Sequence, residues 1–164
     1  MSILPIFIPH AGCPHQCVFC NQKTISGQKL AAVAGAKEQL ARWRSWLQPS
    51  AANEAAFYGG SFTGLPLELQ EELLTLTDAL LAEGFIGSVR LSTRPDYIDE
   101  ERLQLLQQHG VRLVELGVQS LDDRVLAAAE RGHTAAQVAP AVELLKRFGF
   151  QVGLQLMVGM PEQS

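Results

Sequence analysis

The chain has 164 residues, 47% of them hydrophobic, a mean hydropathy of +0.08 and a formal net charge of −4. That is enough apolar material for one buried core, and the length argues for a single domain over residues 1–164. An 18% charged fraction with a negative balance excludes a broadly basic nucleic-acid footprint, so any RNA contact needs a local basic surface or residues outside this stretch.

Ile3 to Ile8 reads as a first strand. Pro5 interrupts it, no Lys or Arg precedes it, and it is far too short to span a bilayer, which argues against a signal peptide or membrane anchor. The loop that follows holds the chain's only cysteines, Cys13, Cys17 and Cys20. An odd number of clustered thiols cannot build a disulfide framework and survives best in a reducing compartment, which points to the cytoplasm. The next apolar residues, Ala36, Leu40, Trp43 and Leu47, recur at helical spacing, and Pro49 helps to stop that helix.

Ala55 to Tyr58 forms a second short strand running into Gly59-Gly60-Ser61. Pro66 suits a first helical turn, and Leu69, Leu73, Leu76 and Leu80 make the inward stripe of a helix that ends at Gly84. A third strand, Ser88 to Ser92, leads into Thr93-Arg94-Pro95-Asp96-Tyr97 and a helix with Asp99 as N-cap and Gly110 as stop. Val111 to Val118 is a fourth strand. Thr134 and Gln137 then form a capping box for a helix that turns Val138, Val142 and Leu145 inward. Pro140 lies too deep for a helix starting at Thr134, so that helix is kinked or begins later. Gly149 ends it, and Gln151 to Val158 is the fifth strand.

Strands alternating with helices predict an α/β fold, a partial parallel (β/α) barrel with its chemistry at the C-terminal strand ends, where the cysteine loop lies. With no helix after the fifth strand, the sequence reads as a fragment whose substrate-enclosing residues could lie beyond Ser164.

The spacing Cys-x-x-x-Cys-x-x-Cys fits a four-iron cluster in which three thiolates leave one iron open. A zinc site completed by His10 or His15 is the competing reading. With Phe19 just before the last cysteine, the loop resembles the signature of radical S-adenosylmethionine enzymes. Gly59-Gly60-Ser61, Thr93-Arg94-Pro95-Asp96-Tyr97, Glu115-Leu116-Gly117-Val118-Gln119-Ser120 and Arg131-Gly132-His133-Thr134 follow in the order of the Elongator catalytic-subunit branch of that family.

The resemblance implies that Cys13, Cys17 and Cys20 hold a 4Fe-4S cluster whose open iron chelates S-adenosylmethionine. One electron then cleaves the sulfonium, and the 5'-deoxyadenosyl radical abstracts a substrate hydrogen. It also implies roles for other residues. Phe19 shapes the adenine side, while Gly59, Gly60, Ser61, Gln119, Arg131 and Gln155 are cofactor-contact candidates. Gly59 and Gly60 read either as a plain turn or as backbone that must approach a ligand closely, and the resemblance favours the second. Ser61 offers only a neutral hydroxyl where many relatives carry Glu, and Gln155 stands where some coproporphyrinogen-oxidase relatives carry Asp. Arg94 and Asp96 read equally as substrate contacts or as an ion pair fixing their loop, and His133 as site or structure.

An external low-potential electron donor such as flavodoxin or ferredoxin is implied, with tRNA as substrate. Acetyl transfer is not assigned to this stretch, which carries no acetyltransferase domain. Coproporphyrinogen-oxidase-like chemistry on a small molecule and a non-catalytic, metal-stabilised binding module are the alternatives.

Overall fold

A computed structural model of the chain describes residues 2–8, 12–20 and 32–163. The five apolar runs become β1 (Ile3–Phe7), β2 (Glu54–Tyr58), β3 (Ser88–Thr93), β4 (Val111–Gln119) and β5 (Gln151–Leu156), paired in parallel in the order 1-2-3-4-5. Parallel neighbours need a crossover between them, and helices supply it. These are α1 (Ala32–Trp46), α2 (Leu67–Ala82), α3 (Glu100–Gln108), and the pair α4 (Asp123–Ala128) and α5 (Val138–Arg147). Strands that follow one another in space as in sequence, all in one sense, form a partial parallel (β/α) barrel, as the sequence predicts. No helix of the described residues is long and apolar enough to cross a membrane.

Because side chains alternate along a strand, the sheet has two unlike faces. Leu4, Ile6, Ala55, Phe57, Val89, Leu91, Val114, Leu116 and Val118 are fully buried, in one cluster with Leu40, Leu73, Leu80, Leu103, Leu106 and Leu145 of the helices. Each large side chain so buried contributes about 1.5–3 kcal/mol relative to exposure. The alternate positions carry Glu54, Ala56 and Tyr58, then Arg90 and Ser92, then Glu115 and Gly117, then Gly153 and Gln155. Closed barrels fill their interiors with bulky branched residues. From β2 to β5 this face is instead largely polar, with Leu113 and, on β1, Ile3, Pro5 and Phe7 at its apolar positions.

The element ends follow their local chemistry. The Asp99 carboxylate accepts from the Arg102 backbone N–H at 3.0 Å, capping α3. Gly110 takes φ +70° as α3 gives way to β4, a left-handed turn that glycine adopts without strain. Gln137 accepts from the Thr134 N–H at 2.9 Å, but the turn they close, Ala135–Gln137, is a 3₁₀ helix, and α5 proper starts at Val138. Pro140 therefore falls in the first turn, where its missing N–H costs nothing. The sequence reading extends β5 to Val158. The strand ends at Leu156, and Val158 is 91% exposed. Helix α4 has no counterpart in the sequence reading, being too short to show a periodicity.

Strand β1 lies at one edge of the sheet, and side chains of α1 cover it. The Gln39 amide accepts from the Phe7 N–H at 2.7 Å and donates to the Phe7 carbonyl at 3.0 Å. The Trp43 indole donates to the Pro5 carbonyl at 2.9 Å, and Pro5 itself has no N–H to satisfy.

Candidate functional site

The C-terminal ends of the strands and the cysteine loop enclose a cavity of about 330 Å³. The loop contributes Cys13, Cys17, Phe19, Cys20 and His15 to its wall. From β2 and its turn come Tyr58, Gly59, Gly60 and Ser61; from β3, Ser92, Thr93 and Arg94; from β4, Gly117 and Gln119; from β5, Gln155; and Arg131 closes the wall after α4. Every cysteine and every cofactor-contact candidate named from the sequence thus faces one space.

The loop is held at several points. The Cys20 N–H donates to the Cys17 carbonyl at 2.9 Å, and the Val18 N–H to the Ala129 carbonyl at 3.2 Å. Cys17 is 6% exposed, and the Arg131 guanidinium bridges its sulfur, at 3.6 Å, and the Gly117 carbonyl, at 2.6 Å. Burial pushes the Cys13 thiol up from its ordinary range, opposed by the Ser61 backbone N–H and by the Arg131 and Arg94 charges. These opposing groups are the kind that favour a thiolate, the form that ligates metals.

The donor set fits an iron-sulfur cluster. All three thiols of the chain line one cavity with cationic groups behind them, which suits a cluster of negative charge. Among the described residues, no three or more His, Cys, Asp or Glu side chains gather as the ligands of a single metal ion would. His15 lies against the backbone of Gly132, where an added Cβ would be 2.4 Å from its Nε2. His10 lies outside the described residues.

Behind the wall a network joins the strand ends. The Ser61 hydroxyl is 3.0 Å from that of Thr93 and accepts from the Arg94 N–H at 3.3 Å, so it is spent largely on fixing the turn after β2. Arg94, 2% exposed, grips Asp96 through two bonds at 2.9 and 2.8 Å and donates to the Arg131 carbonyl at 2.7 Å. Of the two readings of Arg94 and Asp96, the structure takes the ion pair that fixes the loop, although Arg94 also reaches the cavity wall.

His133 is 4% exposed, does not line the cavity, and completes no hydrogen bond of good geometry at either ring nitrogen among the described residues, although the Val118 backbone lies near enough to favour its charged form. Burial, with help from Arg131 and Arg94, pushes its pKa down to about 4. Gln119 adopts φ +69° at an irregularity in the pairing of β4 with β5, a conformation rare outside glycine. At Gly59, φ +100°, an added Cβ would come within 2.4 Å of the Phe7 ring and 2.7 Å of the Ile8 carbonyl, so packing against β1 already requires glycine there.

Tyr58, Ser92 and Gly117 line the cavity but escaped the sequence reading as site residues. The signal was available, since each occupies an inward position at the C-terminal end of a strand. Below them runs an ionic chain. Arg90 bonds Glu54 at 3.2 Å and Glu115 at 2.8 Å; Ser88 donates to Glu54 at 3.0 Å, and Ser92 to Glu115 at 3.3 Å. Burial, and next the Glu115 charge, raise the Tyr58 phenol above its ordinary range.

Comparisons with known proteins agree with this geometry. Residues 7–164 match the family model described as the radical SAM superfamily. The chain is 25% identical to a tRNA uridine(34) acetyltransferase of Methanocaldococcus infernus, over 100% of its own length and 38% of that protein. Among solved structures, an archaeal Elp3 of Methanocaldococcus infernus with an N-terminal deletion superposes with a TM-score of 0.67 at 23% identity, covering 99% of this chain and 39% of that one. Coproporphyrinogen III oxidase (HemN) of Escherichia coli gives a TM-score of 0.71 at 20% identity, covering 99% and 38%. The chain therefore spans well under half the length of these proteins. A family match over nearly the whole sequence, together with the cysteine loop at the mouth of a parallel sheet, places this chain in the radical SAM superfamily.

Proposed function

We propose that the cavity binds a 4Fe-4S cluster through Cys13, Cys17 and Cys20, and S-adenosylmethionine beside it, for reductive cleavage and hydrogen abstraction from a tRNA. The observation that carries this reading is the meeting of the three cysteines with Gln119, Arg131 and Gln155 in one cavity. When bound, the cluster would supply the electron and an open iron for the amino acid end of the ligand.

The chain's own residues set the conditions for that chemistry. Arg131 holds Cys17 with one arm and the strand end with the other, so loop and sheet move as a unit. Its Nε is buried without a partner among the described residues, and the residue lines the cavity, where a guanidinium suits a ligand carboxylate. Gln119 presents an amide from a strained backbone position, and Phe19 offers an apolar wall. A flavodoxin- or ferredoxin-like protein would deliver the electron. The tRNA assignment draws support from the acetyltransferase relative and from the motifs Thr93 to Tyr97 and Arg131 to Thr134.

Anaerobic reconstitution tests the cluster directly. The expected product is brown protein with about four irons per chain. Cys20→Ala should lose the cluster and all 5'-deoxyadenosine formation. Gln119→Ala should keep the iron but bind S-adenosylmethionine about tenfold more weakly, as the loss of one hydrogen bond allows. About one zinc per chain and no iron-sulfur absorption would instead favour a metal-stabilised binding module. Turnover against fractionated RNA and against tetrapyrroles separates the two substrate classes.

A further inference from the structure

The ionic chain on the inner face does not stop at Glu115. Ser92 touches both that carboxylate, at 3.3 Å, and the Gln155 amide, at 3.4 Å. A serine hydroxyl has a single proton, and a carboxylate paired with arginine only accepts. Ser92 therefore donates to Glu115 and can only accept from Gln155. The Gln155 NH₂ must then face Ser92, which turns its carbonyl oxygen the other way.

We infer that Glu115 is a positioning residue: acting through Ser92, it fixes the Gln155 amide so that the β5 rim offers the cavity a hydrogen-bond acceptor for ligand hydroxyls. This rests on the reading of the cavity as an S-adenosylmethionine site, whose ribose carries two such donors. Arg90 makes the arrangement rigid by holding Glu115 from the opposite side at 2.8 Å. Gly153, across from Glu115 on β5, leaves it room, since a Cβ there would be 3.2 Å from the Glu115 Cγ. The device also has an electrostatic reason. The inner face already sets Glu54 and Glu115 against the single Arg90, and an oriented amide supplies an acceptor without a third like charge.

The test is anaerobic calorimetry on the cluster-loaded chain with S-adenosylmethionine and its 2'-deoxy and 3'-deoxy analogues. Ser92→Ala and Glu115→Gln should each weaken binding of the parent ligand roughly fivefold to tenfold, the loss of one hydrogen bond. Affinity for the analogue lacking the contacted hydroxyl should not change. Adding Gln155→Glu to Glu115→Gln should restore tight binding, because a carboxylate accepts in either orientation and the total charge returns to its original value. A purely structural role for Glu115 would not be rescued in this way. Wild-type affinity in Ser92→Ala, or no rescue in a Glu115→Gln protein whose melting shows it folded, overturns the inference alone. Absence of S-adenosylmethionine binding to the unmodified, cluster-loaded chain overturns the reading beneath it as well.

Discussion

The two faces of the sheet divide the labour of the molecule. The helix-side face is built from Leu4, Ile6, Phe57, Leu91 and Leu116, all without measurable exposure, and it is held by burial alone. The inner face sets Glu54, Arg90, Glu115, Ser92 and Gln155 in a directional chain, with Ala56, Gly117 and Gly153 leaving space above it. The same backbone thus carries a non-directional core on one side and an orienting site on the other. Stability and ligand handling should separate by face.

The sharpest way to break that division is on the core side. Phe57→Ala should cost about 3–5 kcal/mol in denaturant unfolding, through a cavity beneath Phe62 and the helices. A cost below about 1 kcal/mol would mean the helix-side face does not carry the fold.

Acid gives the next largest effect, from behind the site. His133 is held at about 4 in the fold against 6.5 for the free side chain, so the unfolded chain binds more protons between those values. Stability is then complete above about pH 6.5 and falls as the pH drops toward 4, by on the order of 2–3 kcal/mol. His133→Phe should flatten this part of the profile in denaturation curves at pH 7 and pH 5, and an unchanged slope would assign the acid sensitivity elsewhere.

The smallest loss of stability should come from the inner face, where Gly117→Ala puts a Cβ 2.8 Å from the Arg131 Nη2 and 3.2 Å from the Gln119 Nε2. We expect about 1–2 kcal/mol of destabilisation, less than at Phe57. S-adenosylmethionine affinity should nevertheless fall at least about tenfold, because the guanidinium must leave its place between Cys17 and the strand. Loss of stability without loss of affinity would erase the distinction between the faces.

The sequence carried those features whose signal is local. Period-two and helical spacings located the strands and the longer helices, and the resemblance to radical S-adenosylmethionine enzymes singled out the cysteines, Gln119, Arg131 and Gln155, all of which line one cavity. What escaped it depends on register. Glu115 faces Ser92 and Gly153 only because β3, β4 and β5 pair as they do, and nothing near residue 115 in the chain announces this. For Arg94 the ion-pair partner, Asp96, lies only two residues away, but the Arg131 carbonyl that completes its anchoring is remote in sequence. Gly59 shows the converse, since its lack of a side chain is demanded by Phe7 and Ile8 on their own.

The cover that Gln39 and Trp43 lay over β1 gives the sheet a polarity. A strand of another molecule approaching this edge finds the outward carbonyls of Pro5 and Phe7 already taken, so β1 cannot be extended head-to-tail by a further sheet. Such head-to-tail stacking would have no point of closure and would grow into a ribbon. Two side chains of one helix act as a chain terminator for that growth.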